Sequence, residues 1–174
     1  QQRVSDLARA IAHIQVNAPA YGVDTGRLAL MGHSAGAHLA ALLGADPGFA
    51  RGYGADHWRG TIALDTAVLD VETLMAGRPA RLYREAFGSD PAFWRETSPM
   101  AQLGRDATPF LLVCSSERRT PCPEATRFAA AATARGVQAQ VLPVALTHGE
   151  INAELGKDTS YTRALDTFLA AIGV

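Results

Sequence analysis

Residues 32–36 read Gly-His-Ser-Ala-Gly, a GxSxG pattern lying between a short apolar run and a segment with helical spacing. A serine at a strand-to-helix turn can act as a nucleophile, because the turn lifts its hydroxyl clear of the sheet edge. The turn must be tight, so glycine is expected at Gly32 and Gly36, where a Cβ would bring strand and helix into collision. The same turn leaves the N–H of Ala35 at a helix start, aimed where negative charge develops on an attacked carbonyl oxygen. Ser34 is therefore the candidate nucleophile and Ala35 the candidate oxyanion donor.

A serine hydroxyl is a weak nucleophile and needs a histidine base oriented by an acid, in the chain order serine, acid, histidine. The chain has five histidines. His13 precedes the serine, His33 is inside the turn, His38 lies one helical turn beyond it, and His57 sits in a loop before the next strand. His148, in Leu146-Thr147-His148-Gly149-Glu150, follows the last strand on a loop and is the candidate base. The acid is expected on the loop after the third strand, Ser115 to Thr120, where Glu117 is the sole carboxylate. Asp65, at the end of the second strand, is its rival. Asp70 reads instead as a helix cap for the Val-Glu-Thr-Leu-Met turn.

These residues need a scaffold that brings loops distant in sequence to one edge. Val4, Leu7, Ala8, Ile11, Ile14 and Gln15 follow helical spacing, with Pro19 and Gly22 beyond as stops. Arg27 to Met31 reads as a buried strand, Ala35 to Leu43 as a helix, Asp46 to Arg59 as a loop and Thr61 to Leu64 as a second strand. Pro109 to Cys114 is the strongest strand pattern. Glu124 to Arg135 follows as an Ala-rich helix ended by Gly136, then Val137 to Leu142 as a fourth strand and Thr159 to Ile172 as a closing helix. Strands alternating with helices predict an α/β domain, a parallel sheet with helices on both faces. Residues 71–107 break the rhythm with short helical pieces carrying Tyr83, Phe87, Phe93 and Trp94. They read as a small lid-like insertion in a single domain spanning 1–174, the aromatics packing the lid on the core.

Composition excludes several functions. The 174 residues are 48% hydrophobic and 19% charged, with net charge −1, which is a globular chain rather than a disordered one. No run of like charge supports nucleic acid or an anionic membrane as partner. Only Lys157 among the 16 basic residues is a lysine, which together with abundant alanine points to a GC-rich bacterial coding sequence. Cys114 and Cys122 lack the spacing of a metal or redox site and read as a strand-end thiol and a loop thiol. No stretch reaches membrane-span length and no basic n-region with an apolar h-region opens the chain. The cytoplasm is the expected compartment, with the periplasm left open.

With these residues in view, the chain resembles the C-terminal two-thirds of an α/β-hydrolase of the small-carboxylesterase and kynurenine-formamidase-like group. RLALMGHSAGAHLAALL carries the resemblance most strongly. LDTAVLDVETL, AFGSDPAFWRETSPM, VCSSERRTPCPEA and THGEIN are similar to the segments after the second strand, the lid, the acid loop and the histidine loop. The resemblance implies a serine hydrolase that cleaves small carboxylic esters or activated amides, arylformamidase-like substrates included, through an acyl-enzyme. Ser34, His148 and Glu117 would be catalytic, with no metal or organic cofactor. It also implies further strands ahead of the opening helix and an HGG-type loop supplying a second oxyanion donor. No such loop occurs here, so a longer native chain, a missing N-terminal half or self-association is expected. The alternative is a catalytically inactive, hydrolase-like scaffold binding a small ligand or protein partner.

Overall fold

The computed structural model describes residues 2–174. Its four strands are β1 (Leu30–His33), β2 (Thr61–Leu64), β3 (Phe110–Ser115) and β4 (Ala139–Val144). They form one parallel sheet in the order β1-β2-β3-β4, so consecutive strands are always neighbours. The register sets Gly32 against Ala63, Ala63 against Leu112, and Leu112 against Val141.

The alternation of side chains along a strand divides β2 and β3 between two cores. Ala63, Phe110, Leu112 and Cys114 face one side, where α2 (Ala35–Ala45) and α8 (Pro121–Ala134) cover them. Phe110 and Phe128 are both fully buried there and meet edge-to-face with centroids 5.0 Å apart. Burying each such side chain contributes roughly 1.5–3 kcal/mol. Ile62, Leu64, Leu111 and Val113 face the other side, covered by α9 (His148–Ala153) and α10 (Ser160–Ala171) through Ile151, Tyr161, Leu165 and Phe168. Both faces are thus covered, and β2 and β3 are buried at every position, Thr61 and Ser115 included.

The opening helix α1 (Gln2–Asn17) buries Val4 and Ala8 in a third cluster with Leu42, Leu43 and Trp58. Ile14 stays 52% exposed, off the buried stripe. A short helix α3 (Pro47–Arg51) occupies part of the expected 46–59 loop. The first strand starts later than its apolar run. Asp24 accepts the N–H of Gly26 and winds Thr25–Arg27 into a 3-10 turn, and the Arg59 N–H reaches Leu28 O before the ladder opens at Leu30. Met31, expected in a buried strand, is 45% exposed because β1 is the outermost strand.

Between β2 and β3 lie α4 (Val71–Ala76), α5 (Arg81–Phe87), α6 (Pro91–Glu96) and α7 (Pro99–Gln102). Asp70 caps α4 by accepting the Thr73 N–H at 3.0 Å. Tyr83, Phe87 and Trp94, but not Phe93, cluster with Val71 and Met75 of α4 and with Val68 just before it, so this packing lies largely within the segment itself; Phe87 also meets His38 of α2 at 5.5 Å between ring centroids.

The reading of two separate thiols is corrected by the structure, which joins Cys114 and Cys122 in a disulfide. The strand-end position of Cys114 and the start of α8 bring their Cα atoms to 5.1 Å, inside the range a disulfide spans. The loop they bracket carries Ser115, Ser116, Glu117 and Arg118.

Candidate active site

The strand ends form a staircase in which each strand anchors the residue leaving the one before it. The Ser34 N–H donates to Leu64 O, the Asp65 N–H to Val113 O, and the Ser116 N–H to Val144 O, each at 2.8–2.9 Å. Three loops from distant parts of the sequence are thereby pinned side by side at one sheet edge.

Ser34 has φ 57° and ψ −117°, a backbone conformation rarely adopted by a residue with a Cβ. The turn is as tight as expected at Gly32, where an added Cβ would come within 2.3 Å of Gly36 O. Gly36 differs from expectation, since a Cβ there meets nothing within 4 Å. Its backbone, rather than its missing side chain, is what crowds Gly32. Ala35 is exposed and opens α2, so its N–H lies at the positive end of an 11-residue helix.

His148 opens α9 instead of lying in the loop. Thr147 accepts the Glu150 N–H, while the Glu150 carboxylate takes the Thr147 N–H and hydroxyl. Those bonds hold the Glu150 carboxyl below its ordinary pKa. This capping box fixes the direction in which the chain enters the helix, and so where the imidazole points. The His33 ring stacks on it at 4.4 Å and donates from Nε2 to the His148 carbonyl at 2.9 Å.

The structure brings Ser34 and His148 together, with Ser34 Oγ 3.0 Å from His148 Nε2. On the far side of the ring, His148 Nδ1 lies 2.6 Å from Asp65 Oδ2. Asp65, not Glu117, is the carboxylate against the histidine. Glu117 is exposed and makes no hydrogen bond or ion pair among the described residues. The cause is the way the loop is tethered. The Ser115 N–H donates to Asp65 Oδ1, Ser115 Oγ to Leu146 O, and Ser116 Oγ to Val144 O. The chain then turns Arg118 inward, and Glu117 is left facing solvent.

The Asp65 side chain is completely buried, so its charge must be met by donors. Oδ1 has the Ser115 N–H at 2.9 Å, and Oδ2 has both His148 and Arg118 Nη1, the latter at 2.5 Å. Burial pushes its carboxyl upward in pKa, but these donors and the guanidinium charge outweigh burial and hold it below the ordinary carboxylate value. Asp65 also has φ 55°, left-handed backbone that aspartate tolerates better than most residues. An aspartate directly after a strand neighbouring the serine strand was the sequence signal for it.

His38, one turn along α2, is buried and donates from Nδ1 to Val68 O at 2.8 Å while packing on Phe87. Burial lowers its pKa below 6.5, against the raising effect of the Val68 bond. It belongs to the seam between α2 and the insertion. Among the described residues no three His, Cys, Asp or Glu side chains are grouped to hold a metal ion. Among the described residues no helix is long and apolar enough to cross a membrane.

A parallel sheet with helices on both faces, and a serine on a strained turn at the strand ends, define an α/β-hydrolase fold. Solved structures share it. A truncated carbohydrate esterase from gut microbiota superimposes with TM-score 0.78 at 18% identity, covering 97% of this chain and 67% of that one. Esterase 2 of Thermogutta terrifontis gives 0.74 at 23% identity, covering 98% of this chain and 65% of that one. An acetyl ester-xyloside bifunctional hydrolase from Caldicellulosiruptor lactoaceticus gives 0.75 at 20%, with 98% and 65% covered. Within this fold the chain belongs to the BD-FAE family, matched over residues 2–120. It is also 29% identical over 140 residues to Esterase LipQ of Mycobacterium tuberculosis, a match covering 74% of this chain and 33% of LipQ. The chain thus spans about a third of the length of that curated relative.

Proposed function

We propose that this protein is a serine hydrolase that cleaves small carboxylic esters, or activated amides such as N-formyl aryl amines, through an acyl-enzyme. The observation carrying this reading is the unbroken path from Ser34 Oγ through His148 to Asp65, with steps of 3.0 and 2.6 Å. The names of two relatives, Esterase LipQ and esterase 2 of Thermogutta terrifontis, support the ester class.

Ser34 Oγ attacks the carbonyl carbon as its proton passes to His148 Nε2, and the carbonyl π pair moves onto oxygen. The Ala35 N–H faces that oxyanion. Asp65 keeps the Nδ1 proton in place and stabilises the imidazolium, the part first assigned to Glu117. Collapse of the adduct breaks the bond to the leaving alcohol or amine, which takes the Nε2 proton. Water then attacks the acyl-Ser34 ester with the same base, releasing the acid and restoring the serine.

The test is an intact-mass measurement before and after a fluorophosphonate probe. One adduct mapping to Ser34, absent in Ser34→Ala, is the expected result. A folded chain that takes no adduct overturns the proposal.

A further inference from the structure

Among the described residues, Arg118 is the one cation within hydrogen-bond distance of both the acid and the base. Its Nη1 lies 2.5 Å from Asp65 Oδ2 and 3.0 Å from His148 Nδ1, and its side chain is 36% exposed. The two nitrogens compete for one oxygen. When Nδ1 carries the proton that Ser34 chemistry needs, both N–H groups converge on Oδ2 and the nitrogens face each other with no proton between them. When the ring carries its proton on Nε2 instead, Nδ1 can accept from Arg118, but Nε2 can no longer accept from Ser34. The guanidinium also neutralises Asp65, the charge that would draw a second proton onto the ring.

We propose that Arg118 is a positioning residue that controls the proton on His148: it holds Asp65 Oδ2 in place while opposing build-up of positive charge on the imidazole. This rests on the serine hydrolase reading of the same site. Among the described residues, the titratable and charged groups facing His148 are Asp65 from the end of β2, Arg118 from the loop after β3 and His33 from the end of β1. On its own helix, Glu150 is engaged with Thr147. Arg118 is the only member of this set whose charge is fixed across the working pH range. Its loop is closed by the Cys114–Cys122 bond, which limits how far the guanidinium can swing away.

The experiment is the pH dependence of the second-order rate of Ser34 inactivation by a fluorophosphonate, for wild type, Arg118→Met, Arg118→Gln and Arg118→Lys. Methionine removes the charge, glutamine retains an amide N–H for Oδ2 without charge, and lysine restores the charge. The expected result is an acid limb displaced upward in the methionine and glutamine variants, the direction in which loss of a neighbouring cation acts, and returned toward wild type by lysine. A limb at the same pH in all four proteins overturns the proposal. So does a uniform loss of rate at every pH, which is what a purely structural Arg118 would give. Failure of wild type to react at any pH would instead refute the hydrolase reading, so the two outcomes are distinct. If methionine prevents folding, the glutamine and lysine variants decide the question alone.

Discussion

Gly32 and Gly36 pack backbone to backbone across the turn that carries Ser34, leaving 2.3 Å for a Cβ on Gly32 and open space for one on Gly36. The two glycines of one motif therefore differ in physical role. Gly32→Ala should cost about 1–3 kcal/mol or more, because the atom it meets is main chain that cannot step aside. Gly36→Ala, inside α2, should be neutral or stabilising by up to about 1 kcal/mol through helix propensity. Denaturant unfolding of both variants checks the pair, and equal destabilisation would contradict the account.

Asp65 and Glu117 give a direct contest between two acids. Asn tolerates the left-handed backbone at position 65, so Asp65→Asn removes the charge without adding strain. It should lower turnover of a simple aryl ester by on the order of 10³–10⁴, the scale expected when an imidazole loses its orienting carboxylate. Glu117→Gln should leave turnover unchanged, because that side chain is in solvent. The ratio of kcat values for the two variants is the measurement.

His38 predicts a pH-dependent stability. Its folded pKa lies below 6.5, so the native state binds the proton less readily than the unfolded chain does. Its stabilising contribution is complete above pH 6.5 and is lost as pH falls through that value toward the lowered folded one. Tm should drop more between pH 7.5 and 5.5 in wild type than in His38→Asn, which keeps an N–H for Val68 O without a titrating ring. Parallel Tm curves would remove His38 as the cause.

The Cys114–Cys122 bond closes a short loop, with the two cysteines eight positions apart. In the chain-entropy view a loop of this length stabilises by about 2–3 kcal/mol. Replacing both cysteines by alanine should lower the unfolding free energy by that amount. It should also slow inactivation of Ser34 by a phosphonate, since the freed loop carries the Ser115 N–H and Arg118 that hold Asp65. Loss of stability with an unaltered inactivation rate would show that the loop keeps its shape without the bond.

Much of the architecture was readable from the order of residues. The elbow, the alternation of strands and helices, and the position of His148 after the last strand depend on local patterns, and the fold reproduces them. The acid was not readable in the same way. Glu117 and Asp65 both follow strands ending at the same edge, so chain order admits either. What separates them is the tethering of one loop by Ser115 and Ser116 and the left-handed turn at Asp65, both consequences of packing between segments far apart in sequence. The disulfide was missed for a related reason. Eight residues of separation do not reveal that a strand end and a helix start curl back to within 5.1 Å.

The staircase of strand ends also has a temporal meaning. Because spatial order follows chain order, from β1 to β4, the site is laid down in the sequence serine, acid, loop, histidine as synthesis proceeds. A nascent chain that has emerged only as far as β3 carries Ser34 and Asp65 but lacks His148, the base of the proposed chemistry. On the proposed chemistry, reactivity toward esters waits for the segment that carries His148 to dock beside Ser34.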